Sequence, residues 1–441
     1  MQDTIFALSS GAPPAGVAIV RISGSQVRFG LETVIGFVPE PRIARLADIH
    51  DGSGLLLDRG LVLFFPGPKS FTGEDVAELH IHGGRASVAA VLAALTPLPG
   101  FRIAEPGEYT RRAFENGRID LTAVEGLSDL IRAETEAQRR QALGQADGLL
   151  KDLYEGWAKR LTHARAMIEA ELDFSDEEDI PGSVADTIWP DMQKLAEEIS
   201  DHLSRARTGE IVRDGYRIAL IGAPNAGKSS LLNTLAQRDV AIVSDVPGTT
   251  RDVVEVRLDI EGNLVLLQDT AGIRDSENEI ELEGMRRSLA AADTADLVLE
   301  LRDARFLNDG TEGSMARRTE TMAIWTKADL LDPAIEAPRG DGMLISNMTG
   351  AGIDGLLAEI KRHVSALRTS TGDALPSRAR HVHYLRVCHN EILDAVNDEF
   401  RPVEVRCENL RNAATALGRI TGIVDVEDLL GVIFSEFCVG K

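Results

Sequence analysis

The sequence predicts a multidomain protein of mixed α/β and α class: an N-terminal α+β domain, a helical domain made from two chain segments, and an α/β domain inserted between them. Three observations carry this reading. Residues 1–118 alternate apolar and polar in short runs, residues 119–211 and 372–441 carry helical periodicity, and residues 212–371 open on a strand, a glycine loop and a helix, "YRIALIGAPNAGKSSLLNTL". At 441 residues the chain exceeds a single core, and a span of about 100–200 residues per domain fits several units.

Along the first segment, "GVAIVRIS", "GLVLFFP" and "DVAELHIHGG" read as strands parted by Gly/Pro turns, with one Ala-rich helix over 86–95. In "DVAELHIHGG" the period of two puts Ala77, Leu79 and Ile81 on one face and Glu78, His80 and His82 on the other. From Asp120, Leu121, Val124, Leu127 and Ile131, then Leu150, Leu153, Trp157, Leu161 and Ile168, recur near every third or fourth residue, so helices follow. The acidic "FSDEEDIPGS" interrupts them.

After the glycine loop, "VVEVRLDI", "LVLLQD", "DLVLEL", "MAIWTK" and "GMLIS" alternate with helical patterns, which predicts a mostly parallel sheet. The first two runs are joined by "EGN", a hairpin turn, so one edge is expected to be antiparallel. A helix over 353–364, with Ile353, Leu356, Leu357, Ile360 and Val364 on one face, closes the domain. Helical periodicity resumes after Thr371.

Composition narrows the function. A formal charge of −23 repels polyanions overall and argues against broad nucleic-acid binding. Local basic clusters remain at "TRRAF" 110–114, "QRRQ" 138–141 and "SRARHVHYLR" 377–386, the last being the best candidate for phosphate contact. Cys388, Cys407 and Cys438 fit neither a zinc knuckle nor a disulfide framework, so a cytoplasmic location is the expectation. The start "MQDTIFALSSGAPPAG" lacks a basic region before an apolar core, and no apolar run approaches about 18 residues, so neither a secretory signal nor a membrane span is expected.

The chemistry concentrates in the inserted domain. Gly222 to Ser229 is G-x-x-x-x-G-K-S in its proper strand–loop–helix setting, a P-loop in which Asn225, Ala226, Gly227, Lys228, Ser229 and Ser230 surround phosphates. Lys228 reaches the β/γ-phosphates and Ser229 ligates Mg²⁺. Downstream, Thr326-Lys327-Ala328-Asp329 resembles the guanine-specifying N-K-x-D of translation-factor-like GTPases, with threonine replacing asparagine. Asp329 accepts both N–H groups of the guanine edge. Ser346-Asn347, in "SNMTG", lies where those proteins carry an S-A backbone contact to the base.

Between these motifs, "SDVPGTTRD" offers Thr250 to Mg²⁺ and the γ-phosphate, and Asp269-Thr270-Ala271-Gly272 faces the same phosphate, as in a Ras-like domain. The next residue is Ile273, where Ras-like enzymes use a water-orienting glutamine. Arg251 or Arg274, an arginine from a partner, or a monovalent cation are the alternatives for charge. Asn225 and the carbonyls of Ser244 and Val246 are candidate cation ligands, and Glu281 a candidate for acting on the water.

Five stretches, "DTIFALSSGAPPAGVAIVRISG", "FTGEDVAELHIHGG", "PGEYTRRAFENGRIDLTAVEGLSDLI", the nucleotide motifs and "FCVGK", resemble the MnmE (TrmE) family of tRNA modification GTPases over essentially the whole chain. That resemblance implies a tetrahydrofolate-binding domain over 1–118, a helical domain over 119–211 and 372–441, and an inserted G domain over 212–371. It also implies a homodimer that works with the FAD-containing partner MnmG in a hetero-oligomeric complex. The product is an aminomethyl or carboxymethylaminomethyl group at C5 of the wobble uridine of certain tRNAs, its one-carbon unit drawn from tetrahydrofolate. By the same resemblance, K⁺ is held by Asn225, Ser244, Val246 and Thr249, Mg²⁺ by Ser229 and Thr250, and the attacking water by Glu281. The folate positions are Arg21, Glu78, Arg118 and Lys441, and Cys438 is a candidate functional thiol.

Two other classes compete. A regulatory or ribosome-assembly switch would share the P-loop and "TKAD" but has no use for the folate-like N-terminal stretches. A folate-binding scaffold with an idle G domain would suit the absent glutamine, but Lys228, Thr250 and Asp269 are all present.

Overall fold

A computed structural model describes residues 3–173, 185–242, 254–269, 291–306, 320–331, 342–366, 373–397, 400–424, 433–434, 437 and 440. They form two compact units, one of residues 1–128, 145–192 and 390–441, the other of 129–144 and 193–389.

The first unit is built on a six-stranded sheet of β1 (Thr4–Leu8), β2 (Ala15–Ser23), β3 (Arg45–His50), β4 (Leu56–Phe65), β5 (Val76–Gly83) and β6 (Phe101–Ile103). The strand order is β3-β4-β5-β2-β1-β6, antiparallel except for β1 with β6. Alternation in each strand sends Val20, Ile22, Val62, Phe64, Leu79 and Ile81 to one face, where helices α1 (Val27–Ile35) and α2 (Arg85–Leu95) cover them. The opposite face carries Arg21, Glu78 and His80, and near β1 it is covered by Tyr109 of helix α3 (Glu108–Glu115), packed on Ile5 and Ala7. Two long helices complete the unit: α4, here taken as Leu149–Asp173, packs against the helix Val403–Thr421. Leu150, Tyr154, Trp157, Leu161 and Ile168 bury one stripe, and Ala413 and Ala416 admit a close approach from the other side.

The second unit holds β7 (Tyr216–Gly222), β8 (Val254–Ile260), β9 (Asn263–Asp269), β10 (Leu297–Asp303), β11 (Thr321–Thr326) and β12 (Met343–Leu344) in the order β12-β11-β10-β7-β9-β8. Every pairing is parallel except β8 with β9, whose register closes at Ile260↔Asn263. Glu261 and Gly262 both take positive φ (53° and 79°), the geometry a tight hairpin requires, so the antiparallel edge expected from "EGN" is present. The mixed α/β and α class matches the expectation. With four strands parallel around β7, the ends of β7, β9, β10 and β11 converge on one edge, where open α/β sheets hold ligands.

Candidate nucleotide site and N-terminal pair

At that edge the P-loop turns from β7 into the helix Lys228–Ala236. Gly222 and Gly227 take φ of 149° and 96°, and Asn225 adopts the left-handed φ of 62° at the loop tip with its side chain exposed. Lys228 is buried and folds back on its own loop, donating to the carbonyls of Gly222 (2.8 Å) and Ala223 (3.1 Å). Burial pushes its pKa down, and nearby Asp269 only partly opposes this. Ser229 donates its hydroxyl to Asp269 Oδ2 at 2.9 Å, and the β7–β9 register sets Asp269 beside Leu220.

The base-recognition residues follow β11. Lys327, at φ 60°, starts the short turn that presents Asp329, and its ammonium donates to Asp303 Oδ2 at 2.8 Å. Arg305 and Lys327 together hold the Asp303 carboxyl well below the usual carboxylate range. Asp303 is a functional support that motif reading missed, and the only sequence signal for it is its place at the end of "LVLELRD". Ser346, buried, donates to the carboxylate of exposed Asp329. Thr326 donates to the Ala226 carbonyl at 2.6 Å, so the threonine that replaces asparagine still ties this loop to the P-loop.

In the first unit, Arg21 and Glu78 face one another across β2 and β5. Arg21 directs Nε and Nη2 at Glu78 Oε1 (3.1 and 2.9 Å), and Glu78 Oε2 lies 3.2 Å from His80 Nε2. The guanidinium lies 5.7 Å from the ring centres of both Phe71 and Tyr109, and the Tyr109 hydroxyl donates to the Arg21 carbonyl at 2.8 Å. The loop carrying Phe71 is held by a buried ionic chain. Arg112 binds Glu74 (3.1 and 3.2 Å) and Glu108 (2.9 Å), Glu108 also takes Arg102, and Ser23 donates to Glu74 at 2.8 Å. Arg112 therefore belongs to the interior, and the "TRRAF" cluster is not the basic surface its composition suggests. Exposed Arg118 runs its stem along Gly73 of the same loop, which brings it to this corner.

Two family profiles match the chain: the GTP-binding protein TrmE N-terminus over residues 4–118 and the MnmE helical domain over 121–438. The tRNA modification GTPase MnmE of Mesorhizobium japonicum is 51% identical over 441 residues, covering 100% of this chain and 99% of its own length. That of Chelativorans sp. is 52% identical over 441 residues with the same coverage. This chain belongs to the MnmE family. As an MnmE-family protein it is a GTP hydrolase of tRNA modification, and GTP and Mg²⁺ binding come with that membership. The hydroxyl of Ser229 beside the carboxylate of Asp269 is the hard oxygen-donor set Mg²⁺ requires.

Asn225 through Ser230, Asp269, Thr326, Lys327, Asp329, Ser346 and Asn347 all lie at this edge. Ser244, Val246, Thr249, Thr250, Arg251, Thr270, Ala271, Gly272, Ile273, Arg274 and Glu281 lie outside the described residues, as do Cys438 and Lys441. Of the other basic clusters, Arg139 and Arg140 both pair with Glu136, and Arg378 is committed to Asp129 at 2.7 Å, just before the helix Ala379–Asn397 in which His381 is fully buried. Among the described residues no helix is long and apolar enough to cross a membrane.

Proposed function

We propose that this MnmE-family chain hydrolyses GTP in a K⁺-dependent manner and couples it, with the FAD-containing partner MnmG, to tRNA modification. The modification is addition of an aminomethyl or carboxymethylaminomethyl group at C5 of the wobble uridine, in the cytoplasm. The observation that carries the folate part is the Arg21–Glu78 pair, half-buried on the sheet with two aromatic rings beside the guanidinium. Glu78 offers carboxylate oxygens to the N–H groups of a pterin edge, Phe71, 37% exposed, offers stacking surface, and Arg118, with Lys441 by the family resemblance, would meet the acidic tail. A bound tetrahydrofolate would supply the one-carbon unit. The Ser9 hydroxyl donates to the Gly440 carbonyl at 2.6 Å, and this supports a tail that returns to the N-terminal sheet.

At the nucleotide edge, the exposed amide of Asn225 suits a K⁺ ligand, to be completed by Ser244, Val246 and Thr249. K⁺ there would supply positive charge at the phosphates in place of an arginine. Thr250 would join Ser229 on Mg²⁺, and Glu281 would orient the water. A homodimer is supported by Leu46 and Leu61, paired across β3 and β4, which leave 60% and 44% of their surface exposed on the face that bears Arg21 and Glu78. The domain reading is 1–118, 119–211 with 372–441, and 212–371.

GTP turnover in K⁺ against Na⁺ at equal ionic strength tests the cation. Strong K⁺ dependence lost in Asn225→Ala is expected, and equal rates in both salts would overturn it. Equilibrium dialysis with 5-formyltetrahydrofolate tests the N-terminal site. Binding lost in Arg21→Ala is expected, and no binding to the unaltered chain would leave a plain GTPase switch.

A further inference from the structure

At the base-binding edge the side chain at position 326 is poorly placed to donate. Guanine presents two acceptors in a row, N7 and O6, on the edge beside its Watson–Crick face. With Asp329 taking the N–H groups of the Watson–Crick face, that second edge turns towards residues 326 and 347. Thr326 has one hydroxyl hydrogen, and its Oγ1 lies between two carbonyls, Ala226 O at 2.6 Å and Arg302 O at 3.2 Å. Its hydrogen is spent, so Thr326 can only accept from a further neighbour.

Asn347 has what Thr326 lacks. Its Nδ2 approaches the Gly227 carbonyl at 3.4 Å, a long bond, while its Oδ1 is buried and meets no donor. A side chain placed on Gly227 would meet Asn347 Nδ2 at 3.4 Å and Thr326 Oγ1 at 3.5 Å, so the two polar atoms converge on the same P-loop residue. An amide nitrogen carries two hydrogens, and one remains after Gly227 is served.

We infer that the side chain of Asn347 donates to the O6/N7 edge of the bound guanine, supplying from the loop after β12 the donor that position 326 no longer provides. In this arrangement two residues divide the work. Thr326 ties the loop to the P-loop, and Asn347 reads the base. The inference rests on the guanine being seated against Asp329, so the test separates the two.

Dissociation constants are measured by competition against a fluorescent GDP analogue for GTP, 7-deaza-GTP, which lacks the N7 acceptor, and 6-thio-GTP, whose sulfur accepts weakly. The unaltered chain is expected to bind at least one analogue about fivefold to tenfold more weakly than GTP. In Asn347→Ala, GTP weakens by the same factor and the three nucleotides bind alike. Equal binding of all three by the unaltered chain overturns the inference without any variant, as does an analogue penalty retained in Asn347→Ala. Asp329→Asn is the control for the seating. A shift of preference towards xanthosine triphosphate, whose C2 carbonyl suits an amide donor, keeps the guanine in place, and the analogue results then bear on Asn347 alone. No shift removes the seating itself, and the inference with it.

Discussion

The nucleotide edge of the second unit and the outer sheet face of the first both hold basic residues against acceptors, yet they are built by opposite means. At the nucleotide edge, Lys228 and Ser229 are adjacent in sequence, and parallel strand ends bring Asp269 to Ser229 and Asp303 to Lys327. At the sheet face, Arg21 and Glu78 are 57 residues apart and meet only because the β2–β5 register pairs them. In the first site buried Lys228 donates, among the described residues, to loop carbonyls that phosphate would replace. The second already has its charges matched, with Arg21 neutralised by Glu78 and the supporting loop held by Arg112. Ligand binding should therefore relieve the one and compete with the other.

This contrast sets the expected outcomes of substitution. Lys228→Ala removes the P-loop ammonium, and GTP turnover should fall by about 10²–10³-fold. The unfolding midpoint should barely move, because burial already disfavours the ammonium; turnover assays beside a thermal melt check both halves. Arg112→Ala acts in the reverse sense. It removes the buried cation that Glu74 and Glu108 share, leaving Glu108, only 2% exposed, to Arg102, and should cost about 3 kcal/mol in denaturant unfolding while leaving GTP turnover of the folded fraction intact.

Acid should separate the units as well. Burial, then the charges of Arg205 and His381, lower the pKa of His202 to about 4, so the unfolded chain takes up a proton there that the folded one refuses. Stability from this group is full above its unfolded value near 6.5 and falls by roughly 3 kcal/mol as pH drops towards 4. In the first unit, burial alone would raise the pKa of Glu108, but Arg102, the Glu105 amide and Arg112 overcome it and bring it to about 2. Its stabilisation is present above about 4.5 and lost only below that. Unfolding followed from pH 7 downwards should show the second unit weakening first, and His202→Gln should flatten the limb between pH 6.5 and 4. The smallest effect is expected on the open surface. Glu136 grips Arg139 and Arg140 but is exposed, and Glu136→Ala should leave the melting curve unchanged.

The same contrast governs what the sequence disclosed. The P-loop, the "EGN" hairpin and the alternation of β5 are local, so a few residues reveal them, and the parallel sheet follows from strands alternating with helical patterns. The partners of a charge are not local. Arg112 in "TRRAF" reads as surface until Glu74, 38 residues away, is folded against it, and Arg378 reads as a phosphate ligand until Asp129 claims it. Leu153 fits the helical stripe of 149–173 on spacing, but Tyr154 is the residue fully buried there, because the stripe drifts with a 3.6-residue turn. Asp303 was invisible because no motif names the residue behind a motif lysine.

The packing of the 149–173 helix on the 403–421 helix carries a consequence in time. The ribosome makes the two halves of the first unit on either side of roughly two hundred residues that belong to the second, a delay of roughly 10–40 s at typical synthesis rates. Throughout it, Tyr154, Trp157 and Leu161 have emerged without the helix that will cover them. The nucleotide-binding unit can be complete while the first unit still presents an open apolar stripe. A nascent chain stalled in that interval is the form of this protein a chaperone would hold.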